Sequence, residues 1–192
     1  CQPSTPASHF HLLRQHAYVN WHRPVVIATP KSMLRNKLAV SMPEDFTTGK
    51  WEPALDDPTI VDASKVKTVM LCSGKVRWEL VAQREKRGLD GQVAIVALER
   101  LYPLPTEALA RILERYDHVD DIRFVQDEPE NQGAWQFMQL HLPAEYREHT
   151  GRDLVMRPFT RPASSAPSVG TMKLHAAQES ELLDAAFGGL VD

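Results

Sequence analysis

From residue 66 onward, short apolar segments with strand character alternate with longer segments that have helical periodicity. Strands that alternate with helices through short connections form a parallel sheet with helices packed on both faces. The pattern therefore predicts an α/β domain with a doubly wound sheet. The predicted strands are Val66–Cys72, Gln92–Leu98, Ile122–Gln126 and Asp153–Arg157, and the predicted helices are Val76–Arg87, Leu104–Tyr116, Trp135–Leu142 and His175–Phe187.

The segment before this domain carries too few elements to form a sheet of its own. Residues 8–18 predict a short helix with Ser8 as the N-cap. The residues expected on its buried face are Phe10, Leu13 and Ala17. Val25–Ala28 is an apolar run bounded by prolines, which predicts a buried parallel strand. One helix and one strand resemble the end of a larger α/β domain, because a single buried strand is not stable alone.

Residues 41–65 have a different composition, with three prolines, many acids and several turn-forming residues. A stretch of this length and composition predicts an interdomain linker. We expect it to pack through Phe46, Trp51 and Leu55. The chain begins with Cys1 rather than Met, and we therefore expect either a piece of a longer polypeptide or a processed product.

Charge and composition exclude several classes of protein. With 25 acidic and 22 basic residues among 192, the formal net charge is −3, which is not the charge of a nucleic-acid-binding or membrane-surface domain. No apolar run approaches the roughly 18 residues of a membrane helix. The two cysteines and the absence of CxxC exclude a disulfide framework or a zinc ribbon and favour a reducing, cytoplasmic compartment.

Four segments follow predicted strands at their carboxyl ends, where doubly wound sheets bind ligands. In the first of them, Ser73-Gly74-Lys75, backbone N–H groups and a lysine are able to hold an anion. The full GxxxxGK[ST] spacing is absent, so a tight turn with a solvated lysine is the favoured alternative. The four segments are Ser73–Lys75, Glu99–Pro103, Gln126–Trp135 and Arg161–Gly170.

The third segment, QDEPENQGAW, contains Asp127, Glu128 and Glu130. Clustered carboxylates serve as acid/base pairs or as metal ligands. The alternative, which we favour, is a shaped loop in which Trp135 anchors the next helix and the acids face water or pair with arginines. In the fourth segment, Arg157, Arg161 and Lys173 are candidates for holding a phosphate or the carboxylate of another loop; an ordinary solvated loop is the alternative.

The histidines and possible nucleophiles do not form a recognisable catalytic motif. His9, His11, His16 and His22 are close in sequence but lack HExxH spacing, so structural or interface roles are favoured over a metal site. Cys72 lies in an apolar strand, and no serine lies in a GxSxG turn. The residues alone therefore predict no catalytic group and no metal site.

Six ordered stretches cover nearly the whole chain and resemble the C-terminal end of the thiamine-diphosphate-dependent first component of the 2-oxoglutarate dehydrogenase complex. The last stretch is most similar to the bacterial enzymes, and the segment 44–65 matches poorly. The stretches are CQPSTPASHFHLLRQ (1–15), RPVVIATPKSMLRNKLAVS (23–41), VMLCSGKV (69–76), AIVALERLYPLP (94–105), VQDEPENQGAW (125–135) and RPASSAPSVGTMKLH (161–175).

The resemblance implies a domain organisation and an activity. Residues 1–43 are expected to be the end of a pyrimidine-binding α/β domain, 44–65 a linker, and 66–192 a transketolase-type C-terminal domain with a Rossmann-like fold. The family's enzymes are homodimers of the bacterial cytoplasm. They decarboxylate 2-oxoglutarate on thiamine diphosphate and transfer the succinyl group to lipoyl-lysine of the dihydrolipoyl succinyltransferase component.

The family's cofactor motif is missing from this chain. Thiamine diphosphate and Mg²⁺ are bound through a GDG…N-type motif, which does not occur here. The chain alone is therefore expected to be inactive and to have a structural or regulatory role. The alternative is a stand-alone module that binds a nucleotide or a partner without catalysis. A transketolase or a pyruvate dehydrogenase component is disfavoured by QDEPENQGAW and RPASSAP.

The resemblance transfers only a few site residues. Lys31 and Ser32 match a segment that faces the substrate channel in related enzymes; a solvated helix start is the alternative. Some actinobacterial relatives are activated by acetyl-CoA bound between the two domains, and other bacterial relatives bind AMP. The candidate effector residues are Arg14 and Lys50, which match the family, and Arg100, which stands where the family has Gln; two family arginines are replaced by Glu107 and Ala108. The loss of two cations predicts weak acetyl-CoA binding.

Overall fold

Five strands form one sheet in the computed structural model, which describes residues 1–20 and 23–190. The strand order is β1-β3-β2-β4-β5; strands β2 to β5 are parallel, and the edge strand β1 is antiparallel to β3. The predicted α/β fold with a doubly wound, mostly parallel sheet is confirmed. The strands are β1 (Ala54–Leu55), β2 (Thr68–Cys72), β3 (Val93–Leu98), β4 (Asp121–Pro129) and β5 (Arg157–Arg161).

Helices cover both faces of the sheet. Because side chains alternate along a strand, Val69 and Leu71 of β2 belong to one core and Met70 and Cys72 to the other. Helices α4 and α5 cover the first face, and α3 and α6 cover the second. Each fully buried aliphatic or aromatic side chain contributes about 1.5–3 kcal/mol. The helices are α1 (Pro6–Tyr18), α2 (Pro43–Thr47), α3 (Val76–Lys86), α4 (Thr106–Leu113), α5 (Trp135–Thr150) and α6 (Met172–Ala186).

The predicted end of α5 at Leu142 is wrong. The helix continues through Pro143 to Thr150 and is capped by Gly151, which adopts a left-handed φ of 72°. A proline removes one backbone hydrogen bond from a helix interior, but Leu142 and Tyr146 are buried against the sheet and hold the next turns in place. The structure also corrects the last strand, which is β5 rather than Asp153–Arg157.

The register of β5 follows from its pairing with β4. Arg157 pairs with Arg123 and Phe159 pairs with Val125. Pro158 is tolerated because β5 is an edge strand, where a missing N–H leaves no ladder position unfilled.

The N-terminal segment differs from its prediction in three ways. Helix α1 begins at Pro6 with Thr5 as the N-cap, and Ser8 is buried inside the helix. Phe10 and Leu13 are exposed, together with Ala17, because the opposite side of α1 packs on the sheet domain. Val25–Ala28 is not a strand: Val26 is 80% exposed, and its segment exchanges two backbone hydrogen bonds with Cys1. A buried strand requires a paired strand on each side, and among the described residues the only backbone pairing of this segment is with Cys1.

The segment between residues 44 and 65 does more than connect. It contributes β1 to the sheet, and Trp51 is buried as expected. Phe46 is partly buried and packs edge-on against Phe10, with ring centroids 5.7 Å apart. Leu55 is also partly buried. No helix among residues 1–20 and 23–190 is both long and apolar enough to cross a membrane.

Candidate functional site

The site that the fold makes available lies between the carboxyl ends of β2 and β4. Strand β2 leads into α3 on one face, whereas β4 leads into α5 on the other. The connections diverge at this point and leave a crevice, which is where ligands bind in open α/β sheets. Its walls come from Ser73–Lys75 and from the segment 127–134.

Lys75 lies in an ion network on the α3/α6 side of this crevice. Its Nζ is 2.9 Å from Asp127 Oδ2 and 3.3 Å from Glu179 Oε1, and it also pairs with Glu79 of α3. Burial alone would lower the pKa of Lys75, but the carboxylates of Glu79 and Asp127 raise it above its usual value. The expectation of a solvated lysine is therefore wrong, and the anions held at this turn belong to the protein itself.

Three carboxylates converge on this ammonium group. Oxygen atoms of Glu79, Asp127 and Glu179 lie within 4.8 Å of one another. Burial raises the pKa of Glu79 to about 7, and the nearby charges of Glu179 and Asp127 add to the effect. Because Lys75 already contacts all three residues, the arrangement is a neutralised network rather than an open metal site.

Arg161 neutralises the same aspartate from the next strand. It is 6% exposed, pairs with Asp127, and its Nη1 lies 2.8 Å from Nδ1 of His175. Arg157 instead pairs with Asp121 at the opposite end of the sheet, and Lys173 is exposed. The three cations proposed as one anion site are thus not brought together. The prediction that Arg161 binds the carboxylate of another segment is confirmed, since Arg161 pairs with Asp127.

The remaining residues of the QDEPENQGAW segment have separate positions. Glu128 points to the α4/α5 side of the crevice, and Glu130 is exposed. Trp135 anchors α5 as predicted: it is buried against Phe124, and its backbone N–H donates to Oε1 of Gln126 (2.8 Å). The predicted pairing of these acids with arginines is therefore confirmed for Asp127 alone.

A buried cluster around Glu99 was not predicted from the sequence. The Glu99 carboxylate accepts hydrogen bonds from the Ser4 backbone N–H (2.9 Å) and from the hydroxyl groups of Ser4 and Ser8 (2.5 Å each). Arg77 donates to the Ser4 hydroxyl at 2.9 Å. Burial raises the pKa of Glu99. The only sequence signal was a lone acid directly after a buried strand. We call Glu99, Ser4, Ser8 and Arg77 the Glu99 clasp, because they join the N-terminal segment to the sheet domain.

A cavity of about 350 Å³ lies between α1 and the loop after β3. Arg100 lines it beside Trp51 and Tyr102. Arg14 and Lys50 are not among the lining residues. The Arg14 guanidinium donates to the Gly49 carbonyl (3.1 Å), and Lys50 Nζ is 3.6 Å from Glu52.

Lys31 and Ser32 line neither this cavity nor the crevice beside Glu128. They begin a 3-10 turn, Lys31–Arg35, and both are exposed. Of the clustered histidines, His11 is buried, with Nε2 2.7 Å from the Asp45 carbonyl oxygen. His9 and His16 are partly buried. His22 lies outside the described residues. No histidine joins a metal-binding group within the described part of the chain.

Comparison with known proteins points to one family. A family profile described as "2-oxoglutarate dehydrogenase C-terminal" matches residues 40–187. The chain is 49% identical, over 97% of its length, to a protein of Corynebacterium glutamicum called "2-oxoglutarate dehydrogenase E1/E2 component". It is 47% identical over 96% of its length to a "Multifunctional 2-oxoglutarate metabolism enzyme" of Mycobacterium sp. (strain JLS). The chain spans about 15% of the length of these relatives.

Proposed function

Because the chain belongs to the family of 2-oxoglutarate dehydrogenase C-terminal domains, we propose that it is the C-terminal part of a bacterial, cytoplasmic 2-oxoglutarate dehydrogenase. The observation that carries this proposal is sequence identity of 47–49% over at least 96% of the chain to relatives named for 2-oxoglutarate metabolism. The reaction is decarboxylation of 2-oxoglutarate and transfer of the succinyl group to a lipoyl-lysine. The proposed partners are a second copy of the enzyme and the dihydrolipoyl succinyltransferase component.

Thiamine diphosphate supplies the carbanion chemistry in such an enzyme, and the described residues do not fit it or its Mg²⁺. A magnesium ion needs oxygen ligands that remain open to it. The carboxylates of Glu79, Asp127 and Glu179 are instead neutralised by Lys75. We therefore assign the cofactors to other parts of the enzyme and propose that this chain alone does not turn over 2-oxoglutarate.

The contribution of this chain is then structural. We propose that residues 1–43 end a pyrimidine-binding domain, that 44–65 connect it, and that 66–192 form the C-terminal domain. The Glu99 clasp holds the beginning of segment 1–43 against the sheet of segment 66–192. A charge-assisted hydrogen bond to a buried carboxylate is roughly twice as strong as a neutral one, so this contact fixes the orientation of α1. Lys31 and Ser32 are exposed, and we place them at the substrate channel.

We propose that the cavity beside Arg100 is the regulatory site. Its volume of about 350 Å³ is in the range of ligand pockets. Arg100 lines it, and Arg14 and Lys50 directly precede the lining residues Gln15 and Trp51 in the chain. An acetyl-CoA or AMP phosphate is the expected ligand group. Glu107 adds a negative charge where the family carries a cation, so acetyl-CoA is expected to bind weakly. A Kd below about 1 μM for acetyl-CoA with the intact protein would contradict this expectation.

The alternative is a stand-alone nucleotide- or partner-binding module. In its favour, the sheet carries a helix-covered core on each face. Against it, the apolar side chains of Phe10, Leu13 and Leu34 are exposed, which is unfavourable for a module that acts without a partner.

In the deciding experiment, the polypeptide is expressed from its own promoter with an affinity tag at its C-terminus and is purified through that tag. Its mass and its thiamine-dependent oxidation of 2-oxoglutarate by ferricyanide are then measured. A polypeptide several times larger than 21.7 kDa with this activity supports the proposal. A 21.7 kDa polypeptide without it favours the binding module, and a 21.7 kDa polypeptide that turns over 2-oxoglutarate refutes the inactivity of the chain.

A further inference from the structure

Two consecutive carboxylates of β4 have opposite electrostatic environments. Side chains alternate along a strand, so Asp127 faces α3 and α6 while Glu128 faces the start of α5. Asp127 is paired with both Lys75 and Arg161. Residue Glu128 is partly exposed, and among residues 1–20 and 23–190 its carboxylate has no ion pair and no hydrogen bond. An unpaired carboxylate in the wall of a cavity is available to a cation from outside, with which it forms charge-assisted hydrogen bonds.

Glu128 lines a cavity of about 370 Å³ that has aromatic walls. Tyr102 and Phe137 lie on one side with their ring centroids 5.9 Å apart and their planes at 70°. Gln2 and Ser73 lie on another, where the Ser73 hydroxyl donates to Oε1 of Gln2 at 2.6 Å. The cavity therefore combines one negative charge, two π faces and further oxygen acceptors.

The position of Glu128 is set by the backbone. Gly133 has a φ of 69°, and a Cβ at this residue would lie only 2.9 Å from Glu128 Cβ and from Gln126 Oε1. The glycine thus lets the loop close directly onto the strand. Because this packing holds Glu128 where β4 ends, the cavity is largely formed before a ligand arrives, as binding sites usually are.

We propose that this cavity receives the arginine side chain of a protein partner. A guanidinium group is planar, stacks on aromatic faces, and donates hydrogen bonds in a fork that matches a carboxylate. An anionic ligand would be repelled by Glu128, and an apolar ligand would leave its charge buried and unpaired. A side chain from a protein fits better than a free small molecule, since Tyr102 is 75% exposed at the rim and tyrosine and arginine predominate at the centres of protein interfaces. The inference does not depend on the proposed dehydrogenase activity.

The test measures binding of a blocked peptide, acetyl-Gly-Arg-Gly-amide, to the full chain by NMR titration. The matched variants are Glu128→Gln and Glu130→Gln, which remove the same charge from the same segment inside and outside the cavity. We expect Glu128→Gln to weaken binding about tenfold, the loss of one charge-assisted hydrogen bond, and Glu130→Gln to leave it unchanged. Replacing arginine by citrulline in the peptide should abolish binding, because citrulline has the same shape without the charge.

Three results would overturn the inference. They are equal binding of the arginine and citrulline peptides, equal affinity of the wild type and Glu128→Gln, and binding of free arginine at least ten times tighter than that of the blocked peptide. The last would assign the cavity to an amino acid instead of a protein. If Glu128→Gln loses its native near-UV circular dichroism, Tyr102→Ala replaces it in the test. Because the Tyr102 ring is 75% exposed, we expect this variant to fold and to bind the arginine peptide severalfold more weakly.

Discussion

The buried ion pair between Asp57 and Arg84 should be the most sensitive electrostatic contact in this fold. The two side chains are 4% and 2% exposed. Asp57 also accepts hydrogen bonds from the Ile95 backbone N–H (2.9 Å) and from the Thr59 hydroxyl (2.6 Å), and Arg84 donates to the Val93 carbonyl (3.0 Å). The pair therefore joins the segment after β1 to α3 and β3.

Removal of Arg84 leaves the Asp57 carboxylate buried without a cation, and removal of Asp57 leaves the buried guanidinium of Arg84 with only the exposed carboxylate of Asp90, 3.1 Å from its Nε. We expect Asp57→Asn to lower the free energy of unfolding by about 3–5 kcal/mol. At roughly 2–4 °C per kcal/mol for a chain of this size, the Tm should fall by about 10 °C. Arg84→Met should cost a similar amount. The double variant should cost less than the sum, since it leaves no unpaired charge.

Urea unfolding followed by circular dichroism measures all three variants, with Asp153→Asn as the control. Asp153 pairs with Arg147 on the surface, where the side chains are 63% and 68% exposed, and such pairs contribute about 0.2–1 kcal/mol. If Asp57→Asn costs no more than Asp153→Asn, or if the two buried substitutions are strictly additive, the reasoning is refuted.

The same ion pair predicts a dependence on acid. Burial alone would raise the pKa of Asp57, but the Thr59 hydrogen bond and the Arg84 charge outweigh it and lower the pKa below its usual value. The stability that this gives is present above the pKa of the unfolded aspartate, about 3.9. It is lost as the pH falls through the lower folded value, and Asp57→Asn should remove this part of the acid dependence.

Three further substitutions test other contacts. Glu79 has a folded pKa of about 7, above the unfolded value of about 4.3. The stability that its protonated form contributes is therefore complete below the unfolded pKa and is lost as the pH rises through 7. Glu79→Gln should flatten the pH dependence of the free energy of urea unfolding between pH 5 and 8, and an unchanged dependence would contradict this. Glu99→Gln should weaken the clasp and speed amide hydrogen exchange in the first eight residues while β3 stays protected; equal protection of both regions in wild type and variant would count against it. Gly133→Ala should destabilise the fold by about 1–3 kcal/mol, and by more than Gly151→Ala. Both glycines have a positive φ, but only at Gly133 would the added Cβ lie 2.9 Å from other atoms. Equal melting temperatures of the two variants would rule out the steric argument.

Much of the sheet was predictable because strand and helix periodicity is a local property. The predicted strand Gln92–Leu98 differs from β3 by one residue, and the predicted helix Val76–Arg87 differs from α3 by one. The errors arose where packing overrides local preference. Pro143 continues inside α5 because its neighbours are held against the sheet, and Val25–Ala28 is apolar enough for a strand but lacks a sheet to join.

The site was only partly predictable, because charge pairing acts through space. The sequence places Asp127 and Glu128 in the segment that follows the predicted strand Ile122–Gln126, and only the structure extends β4 to Pro129. The sequence does not show that Arg161, 34 residues away, pairs with the first, or that aromatic rings enclose the second. The Glu99 clasp was missed for the same reason, since Ser4 and Glu99 are 95 residues apart.

The sequence by itself determined the family and the class of fold, because ordered motifs and side-chain periodicity survive without coordinates. The tertiary structure alone decided which charges are neutralised. Lys75 was free to bind an anion or to face water until the fold placed three carboxylates around it. Glu128 is left without a cation because the sheet places it on the side opposite Lys75 and Arg161, which pair with Asp127. Electrostatic energy depends on the distance between charges and on their burial, and the sequence alone gives neither.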